Sequence, residues 1–72
     1  GPNPTSGNLQ LTFDKNSKDT KEISIMDLSG REVRHLNTIS TLSLDISDLT
    51  NAYYLVRATD GKSTVVRKIL KQ

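Results

Sequence analysis

The sequence has no cysteine and no tryptophan, one histidine, and only three large aromatics, Phe13, Tyr53 and Tyr54, among 72 residues. Without cysteine it can form neither disulfides nor thiolate metal sites, so its core must stand without staples. The lone His35 leaves one candidate for any imidazole mechanism and cannot complete a zinc site. It stands between Arg34 and Leu36 where alternation turns it outward, which is the place of an ordinary surface histidine. The four glycines are scattered singly, so no glycine-rich loop is available to cradle a phosphate. No apolar run approaches the roughly 18 residues of a membrane-spanning helix, and no signal peptide opens the chain. The natural chain is expected to begin earlier, with any export signal on the preceding part. Asp45 with Asp48, or Asp60, would be the candidate calcium ligands, but their spacing matches no EF-hand loop and is common turn chemistry. No metal, cofactor, small-molecule substrate or catalytic role is expected.

What is present is a modest amount of aliphatic residue in a regular pattern. Only 33% of the chain is apolar. That supports one domain, residues 1–72, with a thin core of Leu, Ile and Val. A single core of this size supplies about 3–5 kcal/mol. The net charge of +2 conceals an asymmetry. Residues 1–48 carry five Lys/Arg against seven Asp/Glu, whereas residues 49–72 carry Arg57, Lys62, Arg67, Lys68 and Lys71 against Asp60 alone. Such a basic end can guard a sheet edge against aggregation or steer an acidic partner. Only Tyr53 and Tyr54 accompany these cations, too few for the interleaved aromatics of a nucleic-acid surface.

Apolar residues recur with period two, the signature of strands half buried in a core. Leu9, Leu11 and Phe13 alternate in NLQLTFD, residues 15–21 form a polar loop, and EISIMDL follows. There Ile23 and Ile25 give way to Met26 and Leu28, a change of phase that predicts a bulge or a strand buried on both faces. After the turn at Ser29-Gly30, REVRHL sets Val33 and Leu36 inward, and Leu42, Leu44 and Ile46 alternate in TLSLDI. Tyr54, Val56 and Ala58 share one face of AYYLVRAT. Asp60-Gly61 then predicts a two-residue hairpin of type I′, leading into KSTVVRKIL. No window shows helical spacing. The expected fold is all-β, a small immunoglobulin-like antiparallel sandwich of six to seven strands, the seventh lying within residues 15–21 or 37–40. Leu49 and Tyr54 have the spacing of a tyrosine corner, in which the phenol ties back to upstream backbone.

Three stretches, PNPTSGNLQLTF, ISIMDLSGREV and ISDLTNAYYLVRATDGKSTVVRKILKQ, resemble the C-terminal sorting domains of type IX secretion substrates. Pro2, Asn3, Pro4 and Gly7 fall on the opening Pro-Asn-Pro-Thr-Ser-Gly box, which would continue a linker from upstream through residues 1–7. Asp27 to Arg31 with Val33, and then Leu49, Tyr54 and Lys68, match the later motifs in order. Gly30, Tyr54, Asp60 and Gly61 would serve as turn or structural residues. Ala52 departs from a pattern that usually has glycine there; a positive φ would cost alanine about 1 kcal/mol unless Asn51 took the left-handed position.

The resemblance implies a sandwich at the end of a larger cargo of a Bacteroidetes-type bacterium. It also implies passage through the periplasm to an outer-membrane translocon, removal by a surface sortase upstream of this domain, and delivery to the cell surface or medium. Arg67, Lys68, Ile69, Leu70, Lys71 and Gln72 are the candidate translocon-recognition residues, on a last strand whose free edge a receptor could extend. The same edge and the thin core would suit a dimer. The alternative is a fibronectin-like module that grips sugar or protein, for which only Tyr53 could serve as an aromatic platform.

Overall fold

The computed structural model describes residues 3–5, 7–11, 19–39 and 42–72. Pro2, Phe13 and most of the loop read over residues 15–21 lie outside that set. The described residues are strand and turn throughout. In chain order the strands are β1 (Asn3–Thr5), β2 (Asn8–Leu11), β3 (Lys21–Asp27), β4 (Glu32–Thr38), β5 (Leu42–Asp45), β6 (Ala52–Thr59) and β7 (Thr64–Lys71). Five of them form one sheet in the order β1-β7-β6-β3-β4, and β2 pairs with β5 in a second.

Alternation decides how the two layers meet. Ile23 and Ile25 of β3, Tyr54 and Val56 of β6 and Ile69 of β7 point from one face of the large sheet. Leu9 and Leu11 of β2, Leu44 of β5 and Ile46 just beyond it close over them. Ile23, Ile25 and Ile46 are completely buried. The result is the all-β sandwich that period two predicts, with Val33, Leu36, Leu49 and Ala58 at the margin of the core.

The phase change in β3 has its counterpart on β4. Ile25 opposes Arg34 while Met26 opposes Glu32, so Val33 is the extra residue of a bulge. The bulge explains how Val33 and Leu36, three positions apart, both reach the core margin. It also leaves Arg34 on the core side of its strand, where the guanidinium bonds to the carboxylate of Asp48 and to its neighbour's carbonyl, Val33 O, at 2.8 Å. Arg34 thereby tethers β4 to the segment that follows β5.

Four expectations are corrected. Among the described residues the seventh strand is Asn3–Thr5, in the Pro-rich lead-in segment; Lys21 opens β3 and residues 37 and 38 end β4, while residues 15–18 and 40 lie outside the described set. Pro4 is tolerated because β1 is an outermost strand, where a missing N–H need not break a ladder. The sandwich is also not wholly antiparallel, because β1 runs parallel to β7, with Asn3, Pro4 and Thr5 opposite Ile69, Leu70 and Lys71. The β6–β7 connection is not a two-residue type I′ turn. Thr59 pairs with Thr64 around a four-residue loop, and only Gly61 has positive φ, at 90°. Here the Asp60 carboxylate accepts from the amides of Lys62 and Ser63, at 2.8 and 2.9 Å, and this local cap selects the longer loop. Lastly, neither Ala52 nor Asn51 has positive φ, so alanine costs nothing there.

The segment before β6 is held by side chains instead. Tyr54 is 4% exposed. Its hydroxyl donates to the carbonyl of Thr50 at 2.6 Å, a tie of the tyrosine-corner kind. Lys71, also buried, donates its ammonium to Asn51 Oδ1 at 2.9 Å. Gly7 permits a close approach between the start of β2 and the end of β5. Its carbonyl accepts from the amide of Ile46 at 2.8 Å, and a Cβ there would lie 3.1 Å from that of Ser47.

Two substitutions separate packing from the corner. Ile25→Ala should cost about 2–5 kcal/mol, close to the whole stability of a core this size, and leave the domain largely unfolded. Tyr54→Phe keeps the ring and should cost only about 1 kcal/mol. Urea titrations followed by far-ultraviolet circular dichroism read both.

Candidate recognition surface

The Asp-Leu-Ser-Gly-Arg stretch folds into a turn organised by one carboxylate. Asp27 Oδ1 accepts from the amides of Ser29 and Arg31, each at 3.0 Å, and from the Ser29 hydroxyl. The Arg31 guanidinium lies 3.3 Å from Oδ2. Gly30 takes φ 94°, which L residues resist, and so lets the chain reverse. The Ser29 hydroxyl first, and then the Arg31 amide, hold the Asp27 carboxyl below its ordinary pKa. Asp45 is lowered by the Ser47 hydroxyl and amide, and Asp60 by the amides of Ser63 and Lys62. These acidic residues maintain turns; among the described residues no His, Cys, Asp and Glu cluster suits a metal ion.

The basic last strand is divided by its own alternation. Ile69, opposite Tyr54, is buried in the core, and Lys71 is buried at the end of the same face. Arg67 belongs to that face too, opposite Val56, but emerges into solvent near the hairpin end. Lys68 and Leu70 point the other way, opposite Leu55 and Tyr53. Lys68 is exposed, with its ammonium 4.7 Å from the centroid of the Tyr53 ring, while Leu70 is half buried and Gln72 exposed. The six residues therefore do not form one patch. Nor is the edge of β7 wholly open, since β1 covers it at Ile69–Lys71. Along β7, among the described residues, the outer edge is uncovered only at Thr64–Lys68.

A second group comes together that sequence spacing did not single out. On the face of the large sheet turned away from β2 and β5, Met26, Leu55 and Lys68 form one row across β3, β6 and β7. Tyr53 and Leu70 form the row on one side, and Ser24, Arg57 and Val66 the row on the other. Alternation announces that Tyr53, Leu55 and Arg57 face away from Tyr54. Only the pairing register shows that Met26 and Val66 adjoin them. His35 lies near the margin of this face with its Nε2 3.6 Å from Glu22 Oε1, an exposed pair.

A family model described as the secretion system C-terminal sorting domain matches residues 2–72. No curated protein and no solved structure matches the chain.

The three capped aspartates set an acid limit on the fold. Because each folded-state pKa is depressed, the unfolded chain takes up protons first as pH falls past the ordinary value of 3.8. Their contribution is complete above that value and is lost as pH drops through the folded values. Thermal melts should be insensitive to these groups near neutrality and fall steeply below about pH 4; Asp27→Asn should flatten that fall. A melting temperature that stays level into strong acid would contradict the capping role.

Proposed function

The chain belongs to the family of secretion-system C-terminal sorting domains, and from that footing we propose that it addresses an attached cargo to the type IX outer-membrane translocon and is then cut away by a surface sortase. A sorting signal for type IX secretion marks a protein destined for the cell surface or the medium. The observation that carries the finer reading is that the family match spans nearly the entire chain while its motif residues occupy turns and the core rather than a reaction site. The cargo crosses the inner membrane by a separate signal, passes the periplasm, and presents this domain to the translocon. The sortase cut falls ahead of the domain, which acts as the protease's substrate and contributes no catalytic group.

Within the last strand, the accessible chemistry narrows the recognition set. Arg67, Lys68, Leu70 and Gln72 are the positions a receptor can touch. Ile69 and Lys71 serve by holding the strand in the sandwich. Deleting residues 69–72 would therefore remove a core side chain and the seat of β1 together, and lost delivery after that deletion would not distinguish recognition from unfolding. The sugar-binding alternative gains little from the geometry, because Lys68 sits over the Tyr53 ring that a sugar would need.

The deciding experiment removes residues 2–72 from the full cargo in its secreting bacterium and follows the cargo by cell fractionation. Retention in the periplasm is expected, with surface delivery restored when the domain is grafted back. Cargo from intact protein should reach the surface without the domain, its new C-terminus lying ahead of β1 by mass spectrometry. Equal delivery without the domain would overturn the sorting role, and surface cargo still carrying it would overturn the cut.

A further inference from the structure

We infer that the outward face of the large sheet, centred on Leu55 and bordered by Arg57 and Lys68, is the docking surface for a protein partner that presents an apolar side chain between carboxylates. This rests on the sorting reading and deepens it, moving recognition from the tip of the last strand to a face shared by β3, β6 and β7.

Burial first marks the face. A sandwich needs only one side of each sheet apolar, and the solvent side ordinarily carries polar residues. Here that side carries Met26, Leu55, Leu70, Tyr53 and Val66, the last two 39% and 50% exposed. The register gathers them instead of scattering them: Leu55 lies between Met26 and Lys68, and Tyr53 lies opposite Leu70. Contiguous apolar side chains with a tyrosine, a methionine and an arginine have the make-up of a protein interface.

Charge then specifies the partner. Arg57 and Lys68 are diagonal neighbours across β6 and β7, because Arg57 pairs with Val66 and Lys68 with Leu55. Diagonal cross-strand positions stand about 7–8 Å apart, close to the roughly 6.6 Å between alternate residues of an extended chain. A partner strand with two carboxylates in alternate positions could engage both cations while a neighbouring apolar side chain settles on Leu55. Among the described residues neither cation forms an ion pair: Lys68 engages the Tyr53 ring, Glu22, diagonal to Arg57, pairs with His35 of β4, and Glu32 lies beyond Met26 at the β4 margin. Of the other cations of the basic end, Lys62 lies near Asp19, Lys71 is on Asn51, and Arg67 emerges from the opposite face of β7. The face also lies clear of the edge that β1 partly covers, so docking there leaves β1 in place. Leu55 and Met26 are half buried, whereas Arg57 and Lys68 are exposed. A half-buried centre between exposed cations suits a protruding side chain better than a membrane surface, which needs apolar groups that project.

The test uses the complete parent protein in its secreting cell. Arg57→Glu with Lys68→Glu should lower the delivered fraction at least about tenfold, equivalent to about 1.4 kcal/mol of docking energy, without lowering the melting temperature of the purified protein. The charge-conserving pair Arg57→Lys and Lys68→Arg should restore delivery, which a purely structural role would not require. Ile39→Ser, at an exposed apolar position just beyond the end of β4, should deliver normally. A photoreactive benzoylphenylalanine at position 53 should form a protein adduct in secreting cells, lost in the charge-reversed variant and traced by mass spectrometry to an acidic segment of a secretion component. Charge-reversed protein that stays folded and is delivered at the wild-type level overturns the inference. So do adducts only with a second copy of this chain, or binding of the purified protein to anionic phospholipid vesicles that the same reversal abolishes. If wild-type protein is delivered equally with and without residues 2–72, the sorting reading itself has failed, a result distinct from any of these.

Discussion

Tyr54 occupies the position where the constraints on this small domain converge. It lies on β6, the strand hydrogen-bonded to both β3 and β7, opposite Asp27 on one side and Ile69 on the other. Its ring joins a core whose other described members are aliphatic, and its hydroxyl fixes the segment before β6 through Thr50. A chain without cysteine has no disulfide with which to fix a long connection between sheets. A buried phenol with a satisfied hydroxyl supplies both area and direction. Its cross-strand neighbour Asp27 in turn caps the β3–β4 turn, so the central strand and the most structured turn are registered against each other.

The basic end acquires a different meaning once that register is set. Five cations in the last third of the sequence look like one electrostatic feature, yet the fold assigns them separate tasks. Lys71 is spent on a buried bond to Asn51, and Lys62 leans toward Asp19. Arg67 emerges from the core side of β7, whereas Arg57 and Lys68 border the apolar outer face. Burying the aliphatic stem of Lys71 while its ammonium finds an amide oxygen is ordinary behaviour for a long amphipathic side chain. Net charge alone could not separate these roles.

Much of the architecture was legible from the chain because alternation is a local signal. The strands around Leu9, Ile23, Leu44, Tyr54 and Val65 lie where period two puts them, and the change of phase near Met26 marks a real bulge. What escaped depends on partners distant in sequence or on competing local bonds. Nothing in Asn3-Pro4-Thr5 resembles a strand, and only the waiting edge of β7 makes it one. Asp60-Gly61 favours a tight turn until the aspartate side chain caps two later amides. For the candidate surface, the alternation of Tyr53, Leu55 and Arg57 was readable, but their union with Met26 and Val66 was not, because it is fixed by strand order.

The parallel seating of β1 on β7 has a mechanical corollary. For a domain whose cargo is joined ahead of Asn3, tension drawn through that junction runs along the strand axis, away from the direction in which β7 proceeds toward Lys71. If the far end of β7 is meanwhile gripped, the two strands are sheared lengthwise rather than peeled apart, and their bonds share the load instead of breaking one by one. Three residues arranged in that sense form a short but stiff coupling between the passenger and its handle.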